Sequence, residues 1–407
     1  MQKRSDGTES AIHGLREQIL KMKVEDWKAL FMLLISYVPG KIWKIFNRNI
    51  WVVSEYDKLA RDNGFFFFQY MRLKHGELTT YYPICKCSPD YKKIEKLGGY
   101  VEFGSFKHYC LFWAAKYYIG TTKCYGFPYR RICEDLVQWK VHSFKYVFLN
   151  HGFTRGYSSI VDGNETRYDL LVTCATKDAE IIVRENHQNE ENVKVLGFAR
   201  HDNLLDSIVD KNQLLIMPTW RKWLDCRESQ DVSPFLNSDY YLKYKELLND
   251  EELNDILEKY DLHLIFYLHE YAQKYSKYFK TTSKRIIIGT REKYEIQELL
   301  KQSVMLITDY SSVCYDFAYM KKPVLYYQFD KKIFEELQYS EGKMFTYEKD
   351  GFGNIVFDRK SLIGEIEKAY EKHFVMDKIY IERVNSFFKF HDMNNCERIY
   401  RAIIKIK

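Results

Sequence analysis

The chain has 407 residues, 46% hydrophobic and 17% aromatic, with a formal net charge of +6. That length allows two or three domains with large cores, and the composition excludes a disordered or fibrous chain. The modest positive charge suits an anionic substrate or membrane face and does not single out nucleic acid.

No uninterrupted run of 18 apolar residues occurs, so no transmembrane helix is expected. Residues 1–10 are polar and carry Asp6 and Glu9, which is not a signal-peptide pattern. Nine scattered cysteines, an odd number, fit free thiols in a reducing cytoplasm. Cys85 and Cys87 are a close pair without the second pair that a zinc site needs, and are read as structural.

Residues 1–48 form an N-terminal amphipathic segment. Its part 27–46 has a long apolar stripe with Lys28, Lys41 and Lys44, and Pro39-Gly40 is expected to break it into two pieces. It is either an interfacial segment, with its lysines at anionic headgroups, or a core helix. Residues 49–55 read as a strand, and 55–75 as helical apart from Asp62-Asn63-Gly64. Strands at 78–84 and 117–122 alternate with helices at 91–97 and 105–116, which implies βαβ units. Residues 146–150 are a buried strand delivering His151-Gly152-Phe153-Thr154 at its carboxyl end, where open α/β sheets place ligands. Gly152 lets the backbone turn, and a histidine there can take a proton from a hydroxyl. A strand at 169–175, a helix at 177–187 and a strand at 193–197 follow, ending in Gly197, Arg200 and Asp202. That Arg and Asp are either an ion pair fixing the linker or substrate ligands.

A second domain opens near residue 213. The strand 214–217 leads into Pro218-Thr219-Trp220-Arg221, and an Arg at a strand end can grip a phosphate in a bidentate fork. Residues 225–237 read as a polar loop and 240–260 as one helix. The strand 263–268 delivers His269, followed by Glu270. A strand at 285–289 and a helix at 296–301 precede residues 304–330. There a buried strand ends in Thr308 and Asp309-Tyr310 turns the chain. Ser311 and Ser312 cap a helix that runs to about residue 320, and a further strand ends toward Asp330. Hydroxyls and unpaired N–H groups at a helix start after a strand bind anions.

The wording of this last stretch, with Asp316 in its helix, resembles the CDP-glycerol glycerophosphotransferase family: the teichoic acid primases and polymerases and their capsule-making relatives. The resemblance extends over residues 49–375. It is carried by Asp62-Asn63-Gly64, by His151-Gly152, by Gly197, Arg200 and Asp202, by Pro218-Thr219-Trp220-Arg221, by His269 and by the Thr308 to Asp330 unit, in the family's order. Phe153-Thr154, Ala199 and Glu270 depart from its usual wording.

The resemblance implies a GT-B fold, α/β, with two Rossmann-like domains facing a central cleft. The expected domains are an acceptor domain at 49–205, a nucleotide-donor domain at 206–380, and a C-terminal helix at 381–407 packing back on the first. It implies transfer of glycerol phosphate, or another alditol phosphate, from CDP-glycerol or CDP-ribitol to a hydroxyl of a lipid-linked glycan or polyol-phosphate acceptor, with release of CMP. It implies a peripheral place on the cytoplasmic, anionic face of the cell membrane. No metal, cofactor or nucleic acid is expected. His151 is assigned as base, and His269, when protonated, as donor to the transferred phosphate or leaving group. Ser311 and Ser312 are assigned to the pyrophosphate, with Arg221 as a further candidate. Gly152 opens the site, Thr308 and Asp309 shape the turn, and Asp316 either reaches the ribose or stabilises its helix. Two other classes stand beside this: a sugar-nucleotide glycosyltransferase, which would release a nucleoside diphosphate, and a non-catalytic membrane-bound partner of a wall or capsule complex.

Overall fold

The computed structural model describes residues 22–205, 209–225, 231–338 and 345–406. Two sheets organise them. The first has seven strands: β1 (Ile50–Ser54), β2 (Thr79–Ile84), β3 (Tyr100–Glu102), β4 (Tyr117–Gly120), β5 (Lys145–Phe148), β6 (Leu170–Thr173) and β7 (Val193–Val195). Their order is β3-β2-β1-β4-β5-β6-β7. The second has β8 (Gln213–Ile216), β9 (His263–Tyr267), β10 (Ile286–Gly289), β11 (Met305–Thr308), β12 (Val324–Tyr327) and β13 (Gly353–Val356). Their order is β10-β9-β8-β11-β12-β13. Each sheet starts in the middle, builds outward to one edge, then reverses. This is the doubly wound Rossmann order, with its switch point between β1 and β4 in one sheet and between β8 and β11 in the other.

The strands are short and apolar because helices cover both faces. In the second sheet successive residues alternate between two cores. Leu214, Ile216, Met305 and Ile307 enter one, whereas Leu215, Leu306 and Ile265 enter the other. The register is parallel, with Met305 opposite Leu214 and Leu306 opposite both Leu215 and Val324. The chain separates into two compact units. Of the described residues, one holds those up to His151 together with Ser159–Leu171 and residues 405–406; the other holds Gly152–Ser158 and those from Val172 to Ile404.

Several local expectations are corrected. Pro39-Gly40 does not break the N-terminal segment: one helix runs Val24–Phe46 with Pro39 inside it. Packing overrides the local cost. The helix lies on the helix Phe106–Ala114, and a Cβ at Gly40 would sit 2.6 Å from the Cys110 carbonyl oxygen, so glycine permits the close approach. Trp113 also donates its indole N–H to the Leu33 carbonyl at 3.0 Å. At 23 residues this helix is, by length and composition, long and apolar enough to cross a membrane. Its scattered lysines hid that from a search for unbroken apolar runs.

Residues 55–62 are not helical: Glu55 accepts the N–H groups of Arg61 and Asp62, and the helix starts at Asn63 and ends at Lys74. The expected helix at 240–260 is two, Asp239–Leu248 and Glu251–Lys259. Asp250 caps the second by accepting the Leu253 N–H at 3.0 Å. Cys85 and Cys87 are joined as a disulfide, whereas the other six cysteines among the described residues are free. Part of the expected polar loop at 225–237 lies outside the described residues.

Candidate active site

In the first unit the site is built where β1, β4 and β5 lie side by side. β5 ends at Phe148, and Asn150 then takes a left-handed turn, φ 61°. Asparagine tolerates that conformation, and its Oδ1 accepts the N–H of His151 at 2.8 Å. His151 is exposed. Its Nδ1 lies 3.2 Å from the carbonyl oxygen of Thr121, just past β4. A carbonyl only accepts, so Nδ1 carries the proton and Nε2 is the basic nitrogen. The imidazole is thus held in the tautomer that a general base requires.

Behind this turn stand the residues of Asp62-Asn63-Gly64. Glu55, buried at the end of β1, accepts N–H groups from Arg61 at 3.0 Å, Asp62 at 3.0 Å and Phe65 at 2.7 Å. Burial, and then the nearby Asp62, push its carboxyl up to about 8. A Cβ at Gly64 would lie 2.8 Å from Glu55 Cγ, so glycine is required there.

In the second unit the site forms at the switch point between β8 and β11. Asp309 is fully buried. Its Oδ1 accepts the Thr219 N–H at 2.8 Å and the Thr219 hydroxyl at 2.6 Å, and its Oδ2 pairs with Arg221 at 2.8 Å. Arg221 also forks onto Asp330, at 2.8 and 3.0 Å, and donates to the Thr219 carbonyl at 2.6 Å. Burial opposes its charge, but Asp309 and Asp330 outweigh burial and hold it protonated. Its guanidinium also lies over Tyr240, Tyr310 and Phe334. With four of its five N–H donors on these groups and its side chain fully buried, Arg221 holds the motif together and offers no phosphate fork. Thr308 likewise donates its hydroxyl to the Met217 carbonyl at 2.7 Å.

The turn then presents Ser311 and Ser312 ahead of the helix Val313–Tyr319. Ser311 Oγ accepts the Val313 N–H at 3.4 Å, whereas Ser312 is exposed and makes no side-chain cap. Gly152 is brought beside it: a Cβ there would lie 3.4 Å from Ser312 Oγ. The departures Phe153 and Thr154 have local reasons. Phe153 packs on Tyr315 and Phe387, and the Thr154 N–H is received by buried Asp178 at 3.0 Å.

Asp316 is buried and bonded to Arg200 and His201, each at 2.9 Å. Burial disfavours its charge, but Arg200 and His201 prevail and hold its carboxyl below the usual range. Of the two roles open to it, this geometry is the structural one. Arg200 is thereby an ion-pair residue, and Asp202 receives the helix Asn395–Ile403 through the N–H groups of Asn395 and Cys396.

His269 follows β9 and lies against Trp220 and Tyr271. Burial lowers it to about 4, so the imidazole is neutral near pH 7. That corrects the expectation of a protonated donor. Its Nδ1 accepts the Tyr271 N–H at 3.3 Å, which leaves the proton on Nε2 as a neutral donor. Glu270, the family departure, pairs with Arg291. Sequence reasoning passed over Thr219 and Trp220 as candidate site residues, Thr121 behind His151, and Arg155, whose guanidinium lies among Tyr315, Phe345 and Tyr347. Their place at strand ends was the available signal for the first three.

A family model described as CDP-Glycerol:Poly(glycerophosphate) glycerophosphotransferase matches residues 41–405. The chain is 32% identical over 405 residues to the minor teichoic acid biosynthesis protein GgaB of Bacillus subtilis (strain 168), covering 97% of this chain and 44% of that protein. It is 24% identical over 304 residues to the teichoic acid ribitol-phosphate polymerase TarL of Staphylococcus aureus (strain NCTC 8325 / PS 47), covering 69% of this chain and 49% of TarL. The chain thus spans about half or less of these relatives' length. Among solved structures, the wall teichoic acid polymerase TagF superposes with a TM-score of 0.64 at 17% identity, over 94% of this chain and 98% of that one. A UDP-N-acetylglucosamine 2-epimerase from Listeria monocytogenes superposes with 0.56 at 13% identity, over 87% and 96%. These likenesses establish the fold, which is of GT-B type.

Proposed function

The chain belongs to the CDP-glycerol:poly(glycerophosphate) glycerophosphotransferase family, and from that membership we propose that it transfers an alditol phosphate, glycerol phosphate first, from a CDP-alditol to a hydroxyl of a polyol-phosphate or lipid-linked glycan acceptor in cell-wall or capsule polymer synthesis. The observation that carries the reading is His151, whose Nδ1 is held by the Thr121 carbonyl at 3.2 Å so that Nε2 is the base. The acceptor hydroxyl gives its proton to Nε2 as its oxygen attacks the β-phosphorus of the donor. The bond from that phosphorus to the bridging oxygen breaks, CMP leaves with the α-phosphate, and a phosphodiester forms. Ser311, Ser312 and the N–H groups behind them bind the pyrophosphate, and His269 donates its neutral Nε2–H to the departing phosphate. Arg221, Thr308, Asp309 and Asp316 keep that surface in shape from beneath.

In the same reading the chain works at a membrane surface. One face of the helix Val24–Phe46 is buried; the other exposes Trp27, Phe31, Leu34, Val38 and Ile45. Such a face suits the lipid interface. Lys44 does not serve headgroups, because it is bonded to the Ala115 and Ser143 carbonyls at 3.2 and 2.9 Å.

The test is CMP release from CDP-glycerol and from CDP-ribitol, in separate reactions with a polyol-phosphate acceptor. CMP from one donor supports the reading and selects the alditol. Release of a nucleoside diphosphate from a sugar nucleotide, with no CMP from either donor, would overturn it.

A further inference from the structure

The left-handed turn that aims His151 is not held by its own strand alone. Asn63, the first residue of the helix Asn63–Lys74, is fully buried, and its side-chain amide donates to the carbonyls of Asn150 at 2.9 Å and Leu149 at 3.4 Å. The helix start is fixed in turn: Asp62 accepts the Asn63 N–H at 2.7 Å, and Glu55 accepts the N–H groups around it. Three neighbouring strand ends therefore converge on one imidazole. β1 acts through Glu55 and Asn63, β4 through the Thr121 carbonyl, and β5 through Asn150. A carbonyl pinned in a left-handed turn fixes the direction of the next residue. Without the Asn63 amide, the Asn150 carbonyl would sit in a buried site lacking that donor, and the turn would relax.

We infer that Asn63 is a positioning residue for the transfer reaction: its amide locks the Asn150 turn so that His151 keeps Nδ1 on the Thr121 carbonyl and Nε2 toward the acceptor. This rests on His151 being the base, so the test reads the imidazole and the reaction separately. The full-length protein is compared with Asn63→Ala, His151→Ala and the double variant. CMP release from CDP-glycerol is measured against donor concentration and pH. In parallel, ¹⁵N shifts of labelled histidine report the His151 tautomer, with His151→Ala assigning its resonances.

The expected result is a fall in kcat of about 10- to 100-fold with donor KM within about twofold. The double variant should be no slower than His151→Ala, and the His151 resonances should lose their single Nδ1–H tautomer in Asn63→Ala. A folded Asn63→Ala protein with unchanged kcat and unchanged His151 resonances would overturn the inference. If His151→Ala itself turns over normally, the base assignment fails, while the ¹⁵N shifts still decide whether Asn63 holds the ring. Should Asn63→Ala aggregate, Asn63→Ser replaces it with the same expectations, because serine can still sit at the helix start but is too short to reach Asn150.

Discussion

Arg221, in the loop after β8, and Asp309, directly after β11, form a 2.8 Å ion pair whose two side chains are fully shielded from solvent. The pair clamps the two strands on either side of the switch point, where the family's two C-terminal motifs meet. Asp330 completes it from the far end of β12. A charge so buried is costly when its partner is removed.

Arg221→Ala should therefore cost about 3–5 kcal/mol of stability, because it strands two buried carboxylates. Urea unfolding at neutral pH measures this. A variant of native stability with only a raised donor KM would instead make Arg221 a substrate ligand.

His151→Ala should leave the fold intact, since the ring is exposed, and lower CMP release by about 10²–10⁴-fold, the range for loss of a positioned base. Thermal unfolding and steady-state CMP release, measured on the same preparation, separate the two effects. Near-normal turnover would remove His151 from the mechanism.

His269 sets a pH dependence with a definite sign. Its folded value, about 4, lies below the ordinary 6.5. Between those values the unfolded chain binds the extra proton. Its contribution to stability is therefore full above about pH 6.5 and is lost as the pH falls toward 4. Unfolding curves at pH 4.5 and 7 should show a smaller acid loss for His269→Gln than for the native protein, by on the order of 1–3 kcal/mol. Equal losses would contradict a neutral His269.

Glu55 acts in the opposite direction. Its folded value, about 8, lies above the ordinary 4.5. Between these pH values the folded chain holds the extra proton, so this part of the stability is present below about pH 4.5 and declines until about pH 8. Glu55→Gln should flatten that slope in chemical unfolding measured from pH 5 to 8. An unchanged slope would place the burden on another group.

The exposed face of the helix Val24–Phe46 makes a further prediction. Phe31 and Leu34 are 62% and 73% exposed, so Phe31→Glu with Leu34→Glu should leave the thermal transition within about 1 °C, because neither side chain is in the core. Flotation with anionic phospholipid vesicles should lose the double variant and retain the native protein. Equal flotation of both would assign this face elsewhere.

What was legible in the sequence lies along single stretches of chain. Apolar runs marked the strands, and short motifs marked their carboxyl ends, so the α/β class, the family and the positions of His151, His269 and the Ser311-Ser312 turn could be read directly. Other facts depend on pairs distant in the chain, and only the tertiary structure decided them. Arg221 looks like an anion ligand until Asp309 and Asp330, 88 and 109 residues away, take its donors. Pro39-Gly40 looks like a break until Cys110 and Trp113 come close enough to need a glycine. His151 and His269 look alike as residues, yet the Thr121 carbonyl accepts from Nδ1 of one, which keeps the proton there, and the Tyr271 N–H donates to Nδ1 of the other. Local propensity and pattern act over a few residues, whereas ion pairing, close packing and proton placement depend on what the fold brings within about 3 Å.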